Sequence, residues 1–354
     1  MASGFLPDEI VVNILARLTA KPLVWFRCVS KYWHSMLMDP YFMNLRSRKT
    51  IIFPLPDKTL HFIDDDYTTF SSFKPCSPCV NAEVIGSLNG LVLLMNNVNA
   101  FILYNPFIGE SCELPFPPPP NNDCNINKCR YGYGFAYGAS PDDLKVVRIS
   151  ALTHICDVFD FKSKSWSSRI ITISNDFRLV YQMGTFVNGF LYWPVQSDSK
   201  LIALSVKDMV FTEMTIPDTS FRERLGTING HICYLEKVSF RQFKLWVKKE
   251  CNHLDGPWVN PYLFKFDPNL TDNFYSLYQT LNILDDGRIF MVNNSMQLII
   301  FDISSSSYKV LEIPSSDDHL SSIFNMRCVE YVETLISPLD ILAGNVKEEN
   351  NHRR

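Results

Sequence analysis

Leu88-Asn89-Gly90-Leu91 is the stretch from which the fold can be read, because it recurs. The same hydrophobic-Asn-Gly-hydrophobic element returns as Val187-Asn188-Gly189-Phe190 and Ile228-Asn229-Gly230-His231, and in degenerate form as Asp286-Gly287-Arg288-Ile289. Asn-Gly readily supplies two successive positive-φ residues, which a two-residue hairpin turn requires, so each copy predicts two strands joined tightly. Behind each lies a second unit, a strand, a short polar turn and another strand. Examples are Tyr104-Asn105 to Leu114-Pro115, Phe159-Asp160 to Trp166, Leu204-Ser205 to Ile216-Pro217 and Phe301-Asp302 to Ile313-Pro314. Phe243–Val247 and Leu60–Asp64 fit the same unit. With residues 62, 104, 159, 204, 246 and 301 as markers, the spacings are 42, 55, 45, 42 and 55. A unit of 40–50 residues holding several strands is the signature of propeller blades. A β-sandwich also strings short strands between turns; some 290 residues of recurring unit favour the propeller, with about six blades.

The first 46 residues are of another kind. Pro7 suits a first helical position, Asp8 and Glu9 sit where the helix dipole favours negative charge, and Ile10, Val11, Ile14, Leu15 and Leu18 recur at helical spacing. Pro22 opens a second short helix through Leu23, Phe26 and Val29. Ser30 is an N-cap for a third, carrying Trp33, Met36 and Leu37, and Asp39-Pro40 starts one more turn. A unit this small does not make an adequate core alone, so its surplus apolar surface goes onto the rest of the chain or onto a partner.

Charge separates the two regions as well. Residues 1–49 carry seven Lys and Arg against three Asp and Glu, a net of +4; the remainder carries 26 against 34, a net of −8. A domain that acidic is a poor phosphate-backbone binder, so no nucleic-acid partner is expected. No apolar run approaches the ~20 residues of a membrane span, and no secretory signal opens the chain. No membrane partner is expected, and the location read from this is cytoplasmic or nuclear, or both.

Leu6-Pro7, Glu9-Ile10, Ile14-Leu15, Arg17-Leu18, Lys21-Pro22-Leu23, Phe26–Lys31, Trp33 and Asp39-Pro40, in this order and spacing, resemble an F-box. The resemblance implies a small all-α, three-helix module that docks on the Skp-type adaptor of a cullin-based ubiquitin ligase. The docking stripe would be Leu6, Pro7, Ile10, Ile14, Leu15, Leu18, Leu23, Val29 and Trp33. Gly86–Leu91, Tyr104-Asn105-Pro106, Tyr131–Phe135, Asp143–Arg148, Phe186–Trp193 and Leu245-Trp246-Val247 look like the plant F-box-associated, kelch-like domain, with Val329–Leu335 as its closing strand. The expected organisation is an F-box over 1–46, an all-β propeller-like domain over 47–336, and a polar, disordered tail over 337–354.

No catalytic machinery is visible. Cys76-Ser77-Pro78-Cys79 has metal-ligand spacing, and Cys124 with Cys129 would complete a four-thiolate set. Without supporting context both pairs read as loop cysteines, and no metal or cofactor is expected. Gly132 and Gly134 read as strand glycines beside packed rings rather than as a phosphate loop. Phe107, Trp258 and Tyr262 lie in loop-like sequence and are either binding anchors or core. Three functions remain open: a substrate receptor that brings an unknown protein to the ligase for ubiquitination, an adaptor-bound protein that sequesters or senses without degradation, and a propeller enzyme. Only the last would need acid, base or metal groups that the sequence does not display.

Overall fold

The structure is a computed structural model and describes residues 7–18, 20–39, 41–42, 45, 49–54, 60–63, 70–73, 79, 82–119, 131–173, 177–179, 183–195, 200–217, 222–239, 241–249, 256–266, 278–293, 295, 297–313 and 327–344. Six four-stranded antiparallel sheets follow one another as blades. Blade 2 runs β4 (Glu83–Leu88), β5 (Leu91–Met95), β6 (Phe101–Asn105) and β7 (Glu110–Glu113). Blade 3 is β8 (Tyr131–Tyr137), β9 (Leu144–Ser150), β10 (Ile155–Asp160) and β11 (Ser165–Ile170). Blade 4 is β12 (Thr185–Val187), β13 (Phe190–Pro194), β14 (Lys200–Ser205) and β15 (Val210–Thr215). Blade 5 comprises β16 (Arg222–Ile228), β17 (His231–Ser239), β18 (Gln242–Lys248) and β19 (Trp258–Lys265). Blade 6 comprises β20 (Tyr278–Ile283), β21 (Arg288–Asn293), β22 (Gln297–Asp302) and β23 (Ser307–Glu312).

Blade 1 is built from both ends of the domain. β1 (Lys49–Pro54), β2 (Leu60–Ile63) and β3 (Phe70–Phe73) receive β24 (Val329–Val332) as their innermost strand, with Ile51 opposite Glu330 and Ile52 opposite Val329. A strand from each end of the domain in one sheet ties the two ends of the ring together, while each blade keeps its own short edges.

The turn chemistry is what repeats. Asn89-Gly90, Asn188-Gly189 and Asn229-Gly230 each have two positive φ values, 52° and 74°, 49° and 82°, and 48° and 73°, and each joins the first strand of its blade to the second. Gly287, at 90°, does the same in blade 6. The turn from third to fourth strand is also repeated. Its first side chain accepts from backbone N–H groups two or three residues on: Asn105 from Phe107, Asp160 from Lys162 and Ser163, Ser205 from Asp208, and Asp302 from Ser304 and Ser305. The turn then leaves through a left-handed residue, Gly109, Lys164, Met209 or Ser306. These are Asx- and Ser-type turns, in which the side chain substitutes for a backbone acceptor.

Six apolar clusters fill the ring, each shared by consecutive blades. Leu91, Leu93 and Phe101 of blade 2, for example, pack with Tyr133, Phe135 and Phe159 of blade 3. Blades 6 and 1 share a cluster in the same way, through Phe290 and Leu298 with Ile51 and Ile63. Burial falls toward the outside: β5 and β6 are buried throughout, whereas β11 and β23 are almost wholly exposed. The strand glycines sit where backbones converge: a Cβ on Gly134 would fall 2.6 Å from Leu191 Cδ1, and one on Gly226 would fall 2.4 Å from Ile283 Cβ.

The polar tail expected over 337–354 begins instead with a helix, α4 (Pro338–Ala343). Ser337 caps it by accepting from Leu339 N and donates to the Glu110 carboxylate, and Gly344 ends it in the left-handed region at φ 77°. Ile341 and Leu342 pack on the cluster between blades 2 and 3, while Lys164 Nζ donates to the Ala343 carbonyl at 2.9 Å. A cap followed by three apolar residues outweighs the charge further along. Residues 345–354 lie outside the described residues.

Candidate functional site

Three helices precede the propeller: α1 (Asp8–Leu15), α2 (Ala20–Phe26) and α3 (Lys31–Met38), with helical residues again at Tyr41 and Phe42. Pro7 is the residue before α1 rather than its first position. Its φ of −54° and ψ of 142° are extended, and its carbonyl accepts from Ile10 N and Val11 N. α2 starts two residues ahead of Pro22, a ring tolerated there because first-turn N–H groups have no intrahelical acceptor. Ser30 caps α3 as expected, accepting from Trp33 N at 3.1 Å, and Asp39 accepts from Tyr41 N at 2.7 Å.

The helices have two unlike sides. Leu15, Leu23, Leu37 and Phe42 form a core with Leu335, from beyond β24, and Phe107 and Ile108, from the turn after β6, pack against it. Arg27 Nη1 donates to the Leu335 carbonyl at 2.7 Å. The acceptor segment is itself fixed by Asn105, which is fully buried. Its Nδ2 donates to the carbonyls of Thr334 and Ile336, and its Oδ1 accepts from Phe107 N and from the Tyr331 hydroxyl. Burial holds the Tyr331 hydroxyl far above its ordinary pKa, so it remains a donor.

The other side stands in water. Ile10 and Ile14, one turn apart on α1, are 45% and 50% exposed, and Trp25, Val29, Tyr32, Tyr41 and Leu45 are exposed as well. Tyr32 donates toward Asp8, tying α3 to the start of α1, and that hydrogen bond raises the phenol's pKa.

The stripe expected for docking is therefore divided. Pro7, Ile10, Ile14 and Val29 are on the surface. Leu15 and Leu23 are 3% and 0% exposed and belong to the internal core, because one edge of the wide stripe packs on Leu335 and its neighbours. Leu18 and Trp33 are half-buried against the same core, Trp33 edge-on to Phe26 at 5.2 Å between ring centroids. Leu6 lies outside the described residues. Trp25, Tyr32, Tyr41 and Leu45 are surface residues that the periodicity did not select. Trp25 had a signal, a large ring on a helix position where a smaller residue was expected.

Among the described residues no three His, Cys, Asp or Glu side chains gather as a metal site. Burial pushes the thiols of Cys112, Cys156 and Cys328 up to about 12, and that of Cys233 up as well, so they are neutral packing groups rather than thiolate nucleophiles. Cys79 is buried; Cys76, Cys124 and Cys129 lie outside the described residues. Of the aromatic residues considered as anchors, Phe107 packs inside, Trp258 is half-buried with Nε1 donating to the Thr215 carbonyl at 2.9 Å, and only Tyr262 is exposed.

Comparison with known proteins agrees with this architecture. The F-box domain family model matches residues 5–45, and the F-box associated beta propeller domain model matches residues 68–336. F-box protein CPR1 of Arabidopsis thaliana is 23% identical, over 88% of this chain and 86% of its own. The Arabidopsis F-box/kelch-repeat protein At3g23880 is 24% identical over 95% of this chain and 96% of its own. Among solved structures, a chain of a nidogen/laminin complex superposes with a TM-score of 0.50 at 9% identity, covering 80% of this chain and 98% of that one, a likeness of fold alone. With an F-box model matched over residues 5–45 and an F-box associated beta propeller model over residues 68–336, the chain belongs to the plant F-box proteins that carry an F-box-associated β-propeller domain.

Proposed function

We propose that this chain is the substrate-recognition subunit of a Skp-cullin-F-box ubiquitin ligase. Its helices act as a three-helix docking module for a Skp-type adaptor, and its propeller holds a protein to be ubiquitinated. The observation that carries this reading is the outer side of the F-box: Ile10, Ile14, Trp25 and Val29 remain in water although the same helices already have an internal core. Large apolar side chains kept exposed in a group mark an interaction surface. In this role the chain performs no chemistry. It raises the effective concentration of target beside the ligase, which costs only two binding surfaces and a scaffold between them. The acidic propeller and the basic F-box segment fit different partners, and a cytoplasmic or nuclear location follows from the same reading.

The test is adaptor capture by the full chain. Ile10→Asp with Ile14→Asp places two charges into the contact. Given the usual worth of central apolar anchors, adaptor affinity is expected to fall at least ~30-fold, about 2 kcal/mol. The melting temperature should fall by only a few degrees, because both residues are about half exposed and outside the internal core. Undiminished capture by the double variant would remove the assignment of this face.

A further inference from the structure

The inner strands surround a cavity of about 530 Å³, lined in part by Ser87, Thr185, Thr227, Asn282 and Arg327. Its size is that of a small-molecule site. Arg327 stands just before β24 in blade 1, yet its Nη1 donates at 2.8 Å to the carbonyl of Gly184, just before β12 in blade 4. Blades 1 and 4 are opposite in a ring of six, so the guanidinium lies across the channel. Its backbone is held in place: the adjoining Cys328 carbonyl accepts from Asn282 Nδ2 at 2.9 Å and Cys328 is fully buried.

The charge is poorly compensated. Arg327 Nε is buried and meets no acceptor among the described residues. Burial, and after it the nearby Arg224 guanidinium, lower the pKa of Arg327 to about 10, so the group is still a cation at neutral pH. Among the described residues, no carboxylate is one of the charges acting on it. The two carboxylates that line the cavity are engaged elsewhere: Asp285 accepts from Gly230 N at 2.6 Å, and Glu330 pairs with Lys49 at 3.0 Å. Arg327 as a whole is half-buried, and a guanidinium drawn partly out of water with one nitrogen unmatched is suited to an anionic partner in fork geometry.

We propose that the central channel binds a small molecule bearing an oxyanion, a carboxylate or a phosphate, which Arg327 receives from the cavity side while Thr227 and Thr185 supply neutral hydrogen-bonding groups on the wall. This site is separate from the adaptor face and does not depend on it.

The experiment uses the full chain at constant ionic strength, with inorganic phosphate and citrate as probes and chloride as the reference, followed by calorimetry and thermal melting. One probe is expected to bind saturably and to raise the melting temperature by several degrees. Phosphate alone identifies a phosphate-bearing ligand and citrate alone a carboxylate-bearing one. Arg327→Lys keeps the charge but loses the fork, and is expected to weaken that probe at least tenfold. If Arg327→Lys does not fold, Thr227→Val, on the cavity wall and outside the Arg327–Gly184 link, takes its place with an expected loss of about fivefold. The proposal is overturned if neither probe exceeds chloride, or if the folded variant binds as tightly as the original chain.

Discussion

The two sides of the F-box use the same kinds of residue for opposite ends. Leu15, Leu23, Leu37 and Phe42 are removed from water by Leu335, Phe107 and Ile108, whereas Ile10 and Ile14 of α1, Trp25 of α2 and Val29 of the turn after it belong to the same helical unit and stay largely exposed. Hydrophobicity does not distinguish them, and neither does helical spacing. The distinction comes from what the propeller supplies: the segment after β24 and the turn after β6 form a seat that fits one side only. A helical unit too small to fold by itself thus obtains a core from the larger domain, and in doing so has its other side fixed in orientation.

The strongest way to break this comparison is to damage the inner side. Leu23→Ala leaves a void in a fully buried site, and such changes typically cost 2–5 kcal/mol. We expect about 3 kcal/mol by denaturant titration, with adaptor capture recovering once the F-box is stabilised by saturating adaptor. A loss below about 1 kcal/mol would mean that the helices do not depend on their seat. Asn105→Leu attacks the seat itself from within the propeller. It removes the donor to Thr334 and Ile336 and the acceptor for Phe107 N and the Tyr331 hydroxyl. With buried groups left unmatched, about 2–3 kcal/mol is expected. Hydrogen exchange should also quicken in α1–α3, since Leu335 follows directly on that clamp. Exchange confined to blade 2 would separate the seat from the helices.

How much of this was legible in the sequence depends on whether the signal was local. Each of the six markers, Phe62, Tyr104, Phe159, Leu204, Trp246 and Phe301, lies on the third strand of a blade, because that strand is bounded by repeated turn chemistry and is written as an apolar run. The Asn-Gly turns were legible for the same reason: positive φ at two successive residues restricts which amino acids fit. Blade 3 has no such turn, and there Gly138 and Asp143 close a longer loop, with Gly138 N donating to the Asp143 carbonyl at 2.9 Å. The division of the helical stripe was not legible, since Leu23 and Ile14 differ only in whether residues ~300 positions away or solvent stand opposite. Arg327 carries no local signal at all; its meaning arises only when blade 4 is brought across the channel. The helix after Ser337 is written locally, in the cap and in Leu339, Ile341 and Leu342, although the charges behind it have the composition of a polar tail.

The smallest effect concerns ring closure and asks whether the apolar rule for the helices also holds for the propeller. Lys49 on β1 pairs with Glu330 on β24 at 3.0 Å, across the seam that joins the two ends of the domain. The hydrogen bond to Glu330 raises the Lys49 pKa, although burial opposes the charge. Lys49 is half exposed, however, and screened pairs of this kind contribute about 0–1 kcal/mol. Ile51, Ile52, Val329 and Tyr331 at the same seam are all buried, and each such side chain is worth roughly 1.5–3 kcal/mol. Lys49→Ala should therefore cost less than about 1 kcal/mol, and that cost should shrink further in 1 M salt, where the screening length falls to about 3 Å. A loss above about 2 kcal/mol that salt does not reduce would show that charge, rather than the packed strand pair beneath it, closes the ring.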